Sequence, residues 1–175
     1  CAFPLKRPSL LPVHSLFKQK KISYNRAEMR DHMEKETMEQ LRTRLNSSSQ
    51  FLQSNDMQVI EVREGYAKVE MTIDEQILNV HGFVHGGALF SLADTAAGAA
   101  SFATGRDSVT LSASINYIKP GTGGKLIGIA QEISRGRTTG VYEVFIFNDS
   151  ETLLSRATFT MFFLDADRHR HKTAG

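Results

Sequence analysis

The sequence holds one cysteine, four prolines and no long apolar run. A single thiol, Cys1, excludes an internal disulfide framework and any cysteine-rich metal site. No stretch approaches the roughly 18 apolar residues that a membrane-spanning helix needs. Charge is nearly balanced as well. Lys and Arg number 21 against 19 Asp and Glu, a net of +2. No overall field therefore points to nucleic acid or a membrane surface. What is present is ordinary: 41% hydrophobic and 23% charged residues in 175. That is the composition of one soluble globular domain with a real core.

The charge is unevenly spread. Residues 1–50 carry a net of +5 and residues 51–175 a net of −3, with no acid before Glu28. Residues 1–27 show no sustained period and read as a basic, largely unstructured leader. The expected location is cytoplasmic, the alternative being an organelle if residues 1–27 are a transit peptide, which their basic, acid-free composition also fits. A third reading is that they are not native, since the first Met is Met29. Residues 28–49 read as a helix over 28–46 closed by the Asn46–Ser49 break. Residues 50–165 form the main domain, with Phe51 and Leu52 in a short turn, and 166–175 a polar tail.

From Met57 the period changes to two. Met57–Arg63 and Tyr66–Ile73 form a hairpin around Glu64-Gly65. Ala88 to about Ala103 is apolar on nearly every side, so this helix is buried. Four strand candidates follow: Val109–Ile118, Lys125–Ser134, Val141–Phe147 and Leu153–Leu164. Short turns between them predict an antiparallel meander, and only that sheet is available to cover the helix. The pattern therefore gives an α+β fold: a curved antiparallel sheet wrapped around one long central helix.

Chemistry concentrates in Asn79–Asp94 (NVHGFVHGGALFSLAD). Gly86-Gly87 open the buried helix, where unpaired N–H groups suit an anion or a carbonyl gaining charge. Two glycines also simply permit a turn. Asp94 lies mid-helix among alanines and leucines, where an unpaired carboxylate is costly. It is either functional or a satisfied structural Asp. His81 and His85 sit in a glycine-broken loop without a third ligand, so no metal site is expected. No G-x-S-x-G elbow occurs. Gly121–Gly124 precedes a strand, so it fails the context of a nucleotide-binding loop. Arg135-Gly136-Arg137 suits either phosphate or an exposed charged hairpin. Phe83, Phe90 and Phe102 either line a pocket or belong to the core.

Asn79, His85-Gly86-Gly87 and Leu92-Ala93-Asp94 together resemble the hotdog-fold acyl-CoA thioesterases of the PaaI-like branch. Ser114–Pro120 (SINYIKP) and Ser134–Thr138 (SRGRT) extend the resemblance over roughly residues 50–164. It implies a homodimer, usually paired into a homotetramer, with sites at the dimer interface and acyl-CoA as substrate. Coenzyme A is then part of the substrate, and no cofactor is implied. The Gly86 N–H and Asn79 would polarise the thioester carbonyl, and Asp94 of the partner subunit would activate water or attack. His85 would position the thioester. Thr110, seven residues before Tyr117 on the hydroxyl-bearing face, would assist the Asp. Gly87, Tyr117, Lys119, Pro120, Arg135, Gly136, Arg137 and Thr138 would contact coenzyme A. Two rivals are a non-catalytic hotdog acyl-CoA sensor joined to a DNA-binding segment and a hotdog hydratase. A single helix at 28–46 with balanced charge argues against the first. The second lacks its loop signature.

Overall fold

A computed structural model describes residues 37–164. The expected leader, the first residues of the expected 28–46 helix and the polar tail lie outside the described residues. The first described helix is α1, Met38–Ser48. Thr37 caps it: its side chain accepts from Gln40 N, and the Gln40 side chain accepts from Thr37 N in return. The helix runs two residues past the expected end at Asn46. Where a turn was expected, a second short helix forms, α2, Gln50–Ser54. The serines cause this, because Ser49 ends one helix and caps the next by accepting from Leu52 N.

The expected hairpin forms from β1, Met57–Arg63, and β2, Tyr66–Thr72. Ala67, Val69 and Met71 are buried, as their alternation predicts. The central helix is α3, Gly86–Phe102. It starts at the glycines, two residues before Ala88. Leu92, Ala93, Ala96, Ala97 and Ala100 are wholly buried. The helix packs against all six strands. The remaining strands are β3, Ser108–Tyr117; β4, Lys125–Arg135; β5, Thr139–Asn148; and β6, Leu153–Phe163.

The sheet is antiparallel in the order β1-β2-β4-β5-β6-β3. This corrects the expected meander. β3 does not turn back onto β4; it pairs with β6 at the far edge, and β4 pairs with β2. The residues at Pro120–Gly124 resemble a hairpin turn in composition, but they carry a crossover. α3 separates β2 from β3 in the chain, so β3 lands across the helix and the chain must return.

β3 differs from expectation in a second way. A bulge lies between Thr110 and Ser112, so Leu111 has no partner on β6. The bulge inverts the alternation. Thr110 faces Met161, while Ala113 and Ile115 face Phe159 and Ala157, all on the helix side of β6. Thr110 and Tyr117 therefore share the helix face, although an odd spacing in a plain strand would part them. Nothing among the described residues covers β3 on its outer edge. Val109, Leu111 and Tyr117 are about half exposed or more, at 49%, 60% and 53%.

Candidate active site

The loop before α3 is laced in place. Asp74 caps a short 3-10 turn, Glu75–Ile77. Leu78 bridges to Val84, and His85 N donates to Ile77 O at 2.7 Å. The Asn79 side-chain oxygen accepts from His81 N at 2.9 Å and Phe83 N at 3.2 Å. That fixes the amide orientation and leaves Asn79 Nδ2 without a hydrogen bond among the described residues. From the other side, Val84 N donates to Gly121 O at 3.0 Å. A Cβ at Gly121 would stand 2.8 Å from Val84 Cβ, so this contact needs the glycine. The two segments enclose an open cavity of about 340 Å³. Asn79, Phe83, Gly86, Tyr117, Lys119 and Gly121 are among its walls.

The first turn of α3 has three N–H groups outside the i→i−4 ladder that Leu89 N opens, those of Gly86, Gly87 and Ala88. Ala88 N and Leu89 N donate to His85 O, at 3.0 and 3.3 Å. Gly87 N donates to His85 Nδ1 at 2.9 Å. Gly86 N has no acceptor among the described residues. Gly86 borders the cavity, and its N–H carries part of the positive end of the helix dipole.

Asp94 is half-buried in this chain, which corrects the expectation of a buried carboxylate. It lies on a helix face turned toward the exposed edge strand. Its Oδ1 accepts from Thr110 Oγ1 at 2.6 Å. Eight residues at 1.5 Å each put Asp94 about 12 Å along the helix from Gly86. One chain therefore carries two separate groups: Asn79, Gly86 and Tyr117 at one end of β3, Asp94 and Thr110 at the other.

The arginine segment lies at the Asp94 end. Arg135 is held inside the fold. It pairs with Glu64 at 2.6 Å and Glu132 at 3.2 Å, with only 13% of its side chain exposed. Burial alone would lower its affinity for the proton, but the Glu64 hydrogen bond and the Glu132 charge hold it above the usual arginine value. Glu132 also accepts from the buried Tyr142 hydroxyl at 3.0 Å. Arg137 is different: exposed, and with no ion pair among the described residues. Arg106 braces this turn by donating to Arg137 O at 2.7 Å. Gly136 and Thr138 are exposed in the same turn, and Lys119 and Pro120 are exposed beside the cavity. Sequence reasoning missed Arg106, Glu64 and Glu132. Arg106 and Glu64 act on residues 31 and 71 positions away, and Glu132 reaches Arg135 three positions on along the same strand only because a bulge lies between them. Of the three phenylalanines, Phe83 lines the cavity, Phe90 stacks at a tilt on Phe159, and Phe102 is half-buried.

Residues 81–155 match the thioesterase superfamily. The acyl-coenzyme A thioesterase PaaI of Escherichia coli is 42% identical over 94 residues, 53% of this chain and 67% of its own length. The chain belongs to the thioesterase superfamily. Its fold is the hotdog of the PaaI-like branch. The solved E. coli PaaI structure superposes with a TM-score of 0.68 at 29% identity, over 74% of this chain and 97% of that one. A hypothetical thioesterase protein of Streptococcus pneumoniae, crystallised with coenzyme A, gives 0.60 at 37% identity, over 62% and 85%. Two further structures of that protein carry alanine in place of one aspartate and of one threonine. Those two positions are sixteen apart, the separation of Asp94 and Thr110 in this thioesterase.

Proposed function

We propose that this thioesterase hydrolyses acyl-CoA thioesters to free acid and coenzyme A, in a site shared by two copies of the chain. The observation that carries the reading is the unused Gly86 N–H at a cavity wall, beside the free Asn79 amide. These are the two donors that a thioester carbonyl needs as it becomes an oxyanion. One such donor supports a rate effect of about 10²–10³.

The base comes from the other copy. A water-activating carboxylate must lie within hydrogen-bond reach of its water. At about 12 Å, Asp94 is too far from the Gly86 of its own chain. Antiparallel pairing of two β3 edges brings the Thr110 end of one strand against the Tyr117 end of its mate. It also buries Val109 and Leu111 and satisfies the open backbone edge. Asp94 then takes a proton from a water as that water adds to the carbonyl, or attacks the carbonyl itself to give a mixed anhydride that water cleaves afterwards, while Thr110 fixes its carboxylate. The tetrahedral oxyanion rests on Gly86 N–H and Asn79 Nδ2, with His85 positioning the thioester. Collapse expels the coenzyme A thiolate. Nothing in this sequence calls for a cofactor, since coenzyme A is part of the substrate. Tyr117–Gly121 and Gly136–Thr138 border the coenzyme arm, with Arg137 free to meet a phosphate. Two such dimers pair into a tetramer.

The test is a panel of acyl-CoAs read by released thiol, on the unaltered protein and on Asp94→Asn. The expected result is turnover on at least one ester and a loss of 10²-fold or more, on the order expected for an acid–base group, in the variant. Binding of acyl-CoA without turnover would instead establish a sensor. Equal turnover by both proteins would remove Asp94 from the mechanism.

A further inference from the structure

Two hydrogen bonds at the start of α3 run through a single peptide group, the one joining Gly86 to Gly87. Its carbonyl accepts the Tyr117 hydroxyl proton at 3.0 Å. Its N–H donates to His85 Nδ1 at 2.9 Å. Both rings are seated on the glycines. A Cβ on Gly86 would stand 3.2 Å from Tyr117 Cζ, and a Cβ on Gly87 would stand 3.0 Å from His85 Nδ1. The pair of glycines therefore does more than free a helix end. It lets two aromatic rings close on one peptide from opposite sides.

The bond to His85 sets a tautomer. A ring nitrogen that accepts an N–H carries no proton of its own, so the neutral imidazole keeps its proton on Nε2. The bond from Tyr117 strengthens this preference. A hydroxyl donating to a carbonyl draws charge toward the oxygen and makes the N–H of the same peptide a better donor. We infer that Tyr117 is a positioning residue: through the Gly86–Gly87 peptide it holds His85 as an Nε2–H donor at the mouth of the helix. This rests on the proposed role of His85 beside the Gly86 N–H, and it gives Tyr117 a task separate from contact with the coenzyme arm. The Tyr117 hydroxyl is turned toward the helix, onto Gly86 O, and the bulge in β3 is what lets it face that way.

The experiment is nitrogen NMR of the histidine side chains in the full chain without substrate, paired with kinetics. His85 is assigned by difference against His85→Gln. Tyr117→Phe keeps the ring on Gly86 and removes only the hydroxyl. The relay predicts a single Nε2–H tautomer in the unaltered protein and a mixture in Tyr117→Phe. It predicts a fall in kcat of about fivefold, the size of one net hydrogen bond, with KM within about twofold. A proton on Nδ1 in the unaltered protein would overturn it. So would an unchanged tautomer in Tyr117→Phe, or a raised KM with kcat intact. Should Tyr117→Phe fail to fold, Tyr117→Leu, which also lacks the hydroxyl, is read in the same way, and a retained single tautomer there overturns the inference. If no acyl-CoA is hydrolysed but the tautomer responds as stated, the relay stands and the proposed function falls.

Discussion

Arg135 and Arg137 stand two positions apart and meet different surroundings. Arg135 answers two carboxylates, one of them the Glu132 that also receives the Tyr142 hydroxyl. Removing it leaves a nearly buried acid without its counter-charge. Arg135→Ala is therefore expected to cost about 1–3 kcal/mol of stability, read as a fall in Tm. Arg137→Ala should leave Tm unchanged and raise KM for coenzyme A esters several-fold with kcat nearly constant. A matching loss of stability in both variants would refute this division. The sequence offered the two as one motif. Glycine between them and positive charge on both sides look the same to a reader of spacing. Their difference lies in what the fold brings beside them: Glu64 from the turn after β1, and Glu132 from the same strand across the bulge in β4.

At the scale of elements, β3 carries the chief prediction. Its exposed Val109 and Leu111 lie on the edge at which a second copy would pair. A Val109→Lys, Leu111→Lys double variant should sediment as a monomer and lose nearly all turnover, although neither residue lines the cavity. A dimeric, inactive variant would show that the charges act some other way. β3 is also where the sequence was least legible. The hairpin of β1 and β2 was evident, because Ala67, Val69 and Met71 alternate cleanly and neighbours in sequence are neighbours in the sheet. The central helix was evident, because an apolar surface on all sides must be covered. The place of β3 was not. A strand states which residues face inward, but it does not state which strand lies beside it. The bulge was invisible for a related reason: it is a property of the pair, and β6 supplies one residue fewer. The Asp94–Thr110 pair was reached only through the family resemblance, since plain alternation put Thr110 on the wrong face.

At the scale of the whole molecule, a shared site makes a quantitative demand. In the proposed dimer each site takes Asn79 from one chain and Asp94 from the other. Asp94→Asn and Asn79→Ala should each be nearly inactive alone. Unfolded together and refolded in equal amounts, half the dimers are mixed, and each mixed dimer holds one site with both residues intact. About a quarter of the original activity should return. No recovery despite proven mixing would place both residues in one chain's own site. The bulge at Leu111 gains a meaning here. β3 works as a reading frame for two chains at once, because its phase decides whether Thr110 and Tyr117 look at the helix together. A substitution at Leu111 alters one side chain. Deleting that residue would shift the frame on one side of it and turn either Thr110 or Tyr117 outward, with every proposed site residue still present in the chain.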